Sequence, residues 1–172
     1  IDAAGIVEHS TDTRFKPGQA VIVTSYDLGM NTPGGFGRYI RVPSAWALKL
    51  PKGLTLKQSM ILGTAGFTAG MSIEKMIQTI GPDKGRILVT GATGGVGSIA
   101  CGILCHLGYQ VIAVSGKTDT RILDRLGVEA VVPREDILKD AEKALPKARW
   151  AGTVDTVGGR ILAAAIKATG QD

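Results

Sequence analysis

Apolar positions in the second half of this chain fall in short unbroken runs, each followed by a turn and then a stretch of helical period. Strands are predicted over 86–90, 110–115, 130–132 and 152–156, and helices over 96–107, 118–126, 136–145 and 160–168. Unbroken apolar runs are expected of parallel strands covered on both faces. Gly108 and Gly127 stand where helices should end. Four strand–helix alternations at this spacing predict an α/β fold, a doubly wound parallel sheet. The first part of the chain reads differently. Residues 1–8, 20–24 and 38–42 read as β, with turns at 14–18 and 50–53 and a loop over 26–37 holding Pro33 and a Gly34-Gly35 pair. Residues 55–80 read as helix, broken into more than one piece by Gly63, Gly66 and Gly70 and stopped by Gly81-Pro82. The expected organisation is a partial β domain over 1–54, connecting helices over 55–84 and a nucleotide-binding domain over 85–172. A fifth strand would begin where the chain ends, so both ends of a larger enzyme are expected to be missing.

Composition agrees with a globular protein. Of 172 residues, 44% are hydrophobic and 20% charged, which argues against disorder. The 24 glycines are clustered and the 7 prolines few, which suggests tight turns and close approach to a ligand. A formal charge of +5 is spread without a basic run. That suits anionic small molecules and gives no nucleic-acid footprint. Cys101 and Cys105 share a predicted helix with Ile and Leu, which rules out a disulfide framework and reads as two small buried hydrophobes. His9 and His106 are the only histidines, and no Cys or His pair has ligand spacing, so zinc-assisted chemistry is not expected. The apolar run near Cys101 is too short and glycine-rich to span a membrane. No signal peptide opens the chain, which starts at Ile1 without Met. A cytoplasmic location follows as an expectation.

Leu88-Val89-Thr90-Gly91-Ala92-Thr93-Gly94-Gly95-Val96-Gly97 joins the first parallel strand to its helix. Against the dinucleotide fingerprint, its small positions are Ala92, Gly94 and Gly97, with Gly91 helping the turn. Gly94 would let backbone N–H groups approach a pyrophosphate, and Gly97 would let the helix pack on the strand. The helix N-terminus would supply unpaired donors for the anion. No Lys-Ser/Thr follows the glycines, so this is not an NTP-hydrolysing loop.

The end of the second parallel strand bears on the choice between NAD and NADP. An NAD binder needs Asp or Glu there for the ribose 2′-OH. Here the segment is Ser115-Gly116-Lys117-Thr118, beginning 18 residues after Gly97. A hydroxyl, a flexible backbone and a cation suit a 2′-phosphate. Asp119 reads as first-turn helix charge, and Arg134, after the third strand, is a second cation for the adenine side. NADPH is therefore expected over NADH.

These segments, with Ile1-Asp2-Ala3-Ala4-Gly5, Arg14-Phe15-Lys16-Pro17-Gly18, Thr24-Ser25-Tyr26, Gly63-Thr64-Ala65-Gly66-Phe67-Thr68-Ala69 and Trp150-Ala151-Gly152-Thr153-Val154-Asp155-Thr156-Val157-Gly158-Gly159, carry a resemblance over essentially the whole chain. The chain resembles the medium-chain dehydrogenase/reductases, in particular their zinc-free branch of quinone oxidoreductases and acrylyl-CoA reductases. The resemblance implies a GroES-like β domain followed by a Rossmann domain. It implies that Ile1 and Thr64 stand where zinc-dependent relatives carry a His and a Cys ligand. It also implies that Thr93, Gly94, Gly95 and Val96 touch the pyrophosphate, that Ser115, Gly116, Lys117 and Arg134 surround the 2′-phosphate, and that Thr68 and Val157 lie near the nicotinamide. The family is considerably longer at both ends.

The implied reaction is NADPH-dependent reduction of an activated C=C bond in an enoyl-CoA or enone. Without zinc, hydrogen bonds must stabilise the enolate oxygen. Tyr26 is a candidate donor and Asp2 a weaker candidate for orienting cleft groups. Alternatives are quinone reduction with the same cofactor and a non-catalytic NADPH-binding or sensor protein. A homodimer is suggested by the resemblance alone.

Overall fold

The computed structural model describes residues 1–141 and 147–170. The chain divides into two units, Ile1–Phe67 and Thr68–Asp172.

In the first unit, β1 (Asp2–Ile6), β2 (Ala20–Thr24) and β3 (Ala47–Lys49) form an antiparallel sheet in the order β1-β2-β3. Asp2 pairs with Thr24, and Val23 pairs with both Ala3 and Ala47. The strand expected over 38–42 is not formed; this stretch is irregular and mostly exposed. Tyr39 and Ile40 are adjacent, so the segment has no strict period of two, and Pro43 ends it before a ladder can extend. A 3-10 turn, Ser44–Trp46, leads instead into β3. Helix α1 (Leu56–Ile77) opens with a reciprocal cap. The Gln58 N–H donates to Thr55 Oγ1 at 3.2 Å, and the Thr55 N–H donates to Gln58 Oε1 at 2.9 Å. Of the three glycines expected to interrupt this helix, only Gly63 departs from helical geometry, at φ 50° and ψ −152°.

The second unit is built on β4 (Ile87–Val89), β5 (Val111–Ser115), β6 (Ala130–Pro133) and β7 (Gly152–Val154). All pair in parallel, in the order β6-β5-β4-β7. Helices α2 (Gly95–His106), α3 (Arg121–Leu126), α4 (Arg134–Ala141) and α5 (Gly159–Ala168) alternate with them. The expected end of the helix over 136–145, at Leu145, lies outside the described residues. Alternate side chains of each strand face opposite ways. Ile87, Val89, Val111 and Ala113 pack with Ala100, Cys101 and Leu104 of α2 and Leu123 of α3. Leu88, Ile112 and Val114 pack with Ile137 of α4, Trp150, and Ala164, Ala165 and Ala168 of α5. The sheet is thus covered on both faces, which accounts for its unbroken apolar runs. This is the α/β, doubly wound Rossmann architecture.

Cys101 is fully buried in this core and Cys105 partly so; both are free thiols. Burial pushes the Cys101 thiol up to about 12, and raises that of Cys105 as well. Among the described residues no helix is long and apolar enough to cross a membrane.

Candidate functional site

The glycine-rich turn leaves β4 at its carboxyl end and opens α2, as the sequence predicts. Gly91 has φ 61°. A Cβ there would collide with Thr156 Oγ1 and come within 3.2 Å of Val157 Cγ2. Glycine is required for both the backbone conformation and the space. At Gly97 a Cβ would run into the Gly91 carbonyl oxygen and lie 2.8 Å from Ala92 Cα. The first turn of α2 can seat on the strand end only without a side chain. Gly94 is the N-cap of α2, and no side chain caps the helix. Its own N–H donates to the Gly91 carbonyl at 2.8 Å, which closes the turn. Gly94 and Gly95 are exposed, Thr93 and Val96 half-buried. This is a cradle of backbone donors with no side chain over it, and its shape and chemistry fit a diphosphate.

At the end of β5, Ser115 is buried and its hydroxyl is a local hub. It lies 3.2 Å from Thr93 Oγ1 and accepts the Lys117 N–H at 3.0 Å. Arg134 leads into α4 directly after β6, and its guanidinium lies over Gly116: a Cβ on Gly116 would be 3.0 Å from Arg134 Nε. The fold therefore brings Thr93, Ser115, Gly116, Lys117 and Arg134 to one corner of the sheet. Asp119 turns elsewhere. Its carboxylate accepts the Arg121 N–H at 3.2 Å and pairs with that side chain, so it caps α3 from outside rather than lying in its first turn. The guanidinium holds the Asp119 carboxyl below the usual carboxylate range.

Val157, half-exposed, follows β7 and sits beside Gly91. Thr68 is exposed on α1, and its carbonyl accepts the Ser72 hydroxyl at 2.9 Å. One group in this region went unassigned in the sequence reading. Thr90, Asp155 and Thr156 are hydrogen-bonded across the ends of β4 and β7. A polar residue ending each of two apolar runs was the available signal.

In the first unit, Asp2 is turned inward on α1. Its Oδ1 accepts the Thr64 hydroxyl at 2.8 Å, and its Oδ2 accepts the Thr64 N–H at 3.2 Å. Thr64 Oγ1 is 3.4 Å from Ser25 Oγ. Ser25 and Tyr26 both have positive φ, 69° and 53°, an uncommon conformation for residues with side chains. The Tyr26 ring stacks on Trp46 with centroids 5.4 Å apart, yet the residue remains largely exposed. Among the described residues, no group of three or more His, Cys, Asp or Glu side chains is placed to hold a metal ion.

No protein-family model matches the chain. Individual proteins do. It is 48% identical over 168 residues to the YhfP protein of Bacillus subtilis, whose name assigns it to the quinone oxidoreductases; the match covers 96% of this chain and 51% of that one. It is 44% identical over 165 residues to acrylyl-CoA reductase AcuI of Ruegeria pomeroyi, covering 95% of this chain and 50% of that one. The crystal structure of the Salmonella enterica YhdH oxidoreductase in complex with NADP matches with a TM-score of 0.94 at 42% identity, over 98% of this chain and 52% of that one.

Over nearly its whole length the chain is similar to proteins named as quinone oxidoreductases and acrylyl-CoA reductases.

It spans about half the length of the curated relatives it matches. The crystal structure of YhfP with NAD bound also matches, with a TM-score of 0.93 at 47% identity over 98% of this chain and 52% of that one.

Proposed function

We propose that the second unit binds NADPH and that the whole protein reduces an activated C=C bond, that of an α,β-unsaturated thioester such as acrylyl-CoA or of an enone. The observation that carries this reading is the corner at the end of β5: Ser115, Lys117 and Arg134 stand together, with no acid at the strand tip, beside the diphosphate cradle. An acid there would repel a 2′-phosphate; a hydroxyl and two cations attract it. Backbone N–H groups of Gly95 and Val96 would hold the diphosphate, joined by Thr93, while Gly94, whose own N–H closes the turn, leaves the approach free of a side chain. Thr68 and Val157 are assigned to the nicotinamide end. When bound, NADPH supplies a hydride for the substrate's β-carbon, and a proton completes the reduction at the α-carbon. In the first unit, Tyr26 is proposed as a hydrogen-bond donor to the substrate's carbonyl oxygen, which gains negative charge as the hydride arrives. Asp2 acts through Thr64, fixing the start of the helical segment after Gly63.

The test is a fluorescence titration of NADPH and NADH against the wild-type chain and Lys117→Ala. The variant should bind NADPH about tenfold or more weakly, the scale of a lost charge-assisted contact, with NADH little changed. Equal losses for both coenzymes would sink the assignment. Turnover of acrylyl-CoA with NADPH tests the reaction. A second reading, quinone reduction with the same coenzyme, is favoured by the quinone oxidoreductase name of YhfP. Faster turnover of quinones than of enoyl thioesters would select it. The two free thiols suit a reducing compartment, and we place the protein in the cytoplasm. A homodimer is proposed from the family resemblance and is read by its mass in solution.

A further inference from the structure

A side-chain network joins the loops that leave β4 and β7. Thr90, fully buried, ends the apolar run of β4. Its hydroxyl donates to Asp155 Oδ1 and accepts the Thr156 N–H at 3.1 Å. The Thr156 hydroxyl donates to the Thr90 carbonyl at 2.9 Å. The second carboxylate oxygen, Asp155 Oδ2, accepts the Gly158 N–H at 2.8 Å. One carboxylate thus ties the end of β4 to both ends of the segment 155–158, which carries Val157 against Gly91 and opens α5.

The strand order gives this location its meaning. From β4 the chain builds outward through β5 to β6, then returns to place β7 on the other side of β4. The order reverses between β4 and β7, and in open parallel sheets the ligand crosses the crevice at that point. The adenosine half belongs at the end of β5. The other mononucleotide half must then lie on the β7 side, over the segment that Asp155 holds.

We infer that Asp155 is a positioning residue for the nicotinamide half of the coenzyme: it fixes residues 156–158 against the glycine turn and takes no part in holding the adenosine half. The inference rests on the NADPH reading above. Asparagine in its place keeps one acceptor oxygen and presents an NH2 group to the other partner. Either the Thr90 hydroxyl, already accepting from Thr156, or the Gly158 N–H then faces a donor.

The experiment measures binding of two probes to the full chain: NADPH, and 2′,5′-ADP, which carries the adenosine 2′-phosphate and lacks the nicotinamide. Asp155→Asn should weaken NADPH by about tenfold or more, and 2′,5′-ADP by less than about twofold, as for an independent site. Thr90→Val, nearly the same shape without the hydroxyl, should show the same split. Equal weakening of both probes, including loss of both through misfolding, would overturn the inference and make the network a general scaffold. Undiminished NADPH binding in both variants would overturn it too. A wild-type chain that takes up neither probe would instead overturn the NADPH reading itself.

Discussion

β4 and β1 are both short strands, but they are shielded to very different degrees. Ile87, Leu88 and Val89 of β4 are fully buried, whereas no residue of β1 is. The parallel sheet carries helices of its own unit on both faces. In the antiparallel unit the buried hydrophobic residues are few, namely Phe15, Val23 and Leu28 among the described residues. A cavity of about 1090 Å³ there is lined by parts of β1, β2 and the irregular segment 37–44. Phe36 and Tyr39 stand exposed in the same unit. The lesson is that the unit bearing the coenzyme cradle contains its own core, while the unit bearing Tyr26 buries little of its apolar surface within itself.

The largest test of this contrast is Leu88→Ala, which should lower stability by about 2–5 kcal/mol in urea unfolding, as for a fully buried leucine between two layers. Next is Gly97→Ala. Its methyl must displace the Gly91 carbonyl, an overpacking cost of about 1–3 kcal/mol, and the same titration should show weakened NADPH binding. A smaller and pH-dependent effect belongs to Cys101. Its folded thiol is raised to about 12, while the unfolded thiol ionises near 8.5. The unfolded chain therefore loses its proton first, and stability should fall as pH rises across that interval. Cys101→Ala should flatten the fall; an unchanged alkaline slope would refute the assignment. The smallest effect is expected at Leu48 of β3, largely exposed, where alanine should change stability by within about 0.5 kcal/mol. A loss at Leu48 matching that at Leu88 would erase the distinction between the two sheets.

How much could be read in advance follows the same division. The parallel strands were legible because burial on both faces removes polar residues from them, and the cradle was legible because its glycines are required sterically. The antiparallel unit was read less well. Residues 38–42 hold Tyr39, Ile40 and Val42, residue types common in strands, but the ladder forms at Ala47–Lys49, three residues too few to show any period. Helix α3 begins at Arg121 rather than 118, because the Asp119 side chain takes the Arg121 N–H and Thr120 becomes the N-cap. The break at Gly63 rather than Gly66 or Gly70 depends on contact with Asp2: a Cβ on Gly63 would lie 2.8 Å from Asp2 Oδ2. No local pattern reports such a contact. The same holds for Thr90 and Asp155, whose partnership is 65 residues apart in the chain.

That separation has a bearing on how the molecule assembles. β4 cannot meet β7 until both intervening strand–helix units have been made and the chain has doubled back, a closure that is slow in topologies rich in distant pairings. A ribosome that has released only as far as β6 has already exposed the glycine turn, braced from β5 but not yet from the β7 side. Coenzyme capture would then be among the last events of folding, and the presence of NADPH would favour only chains that have completed the return.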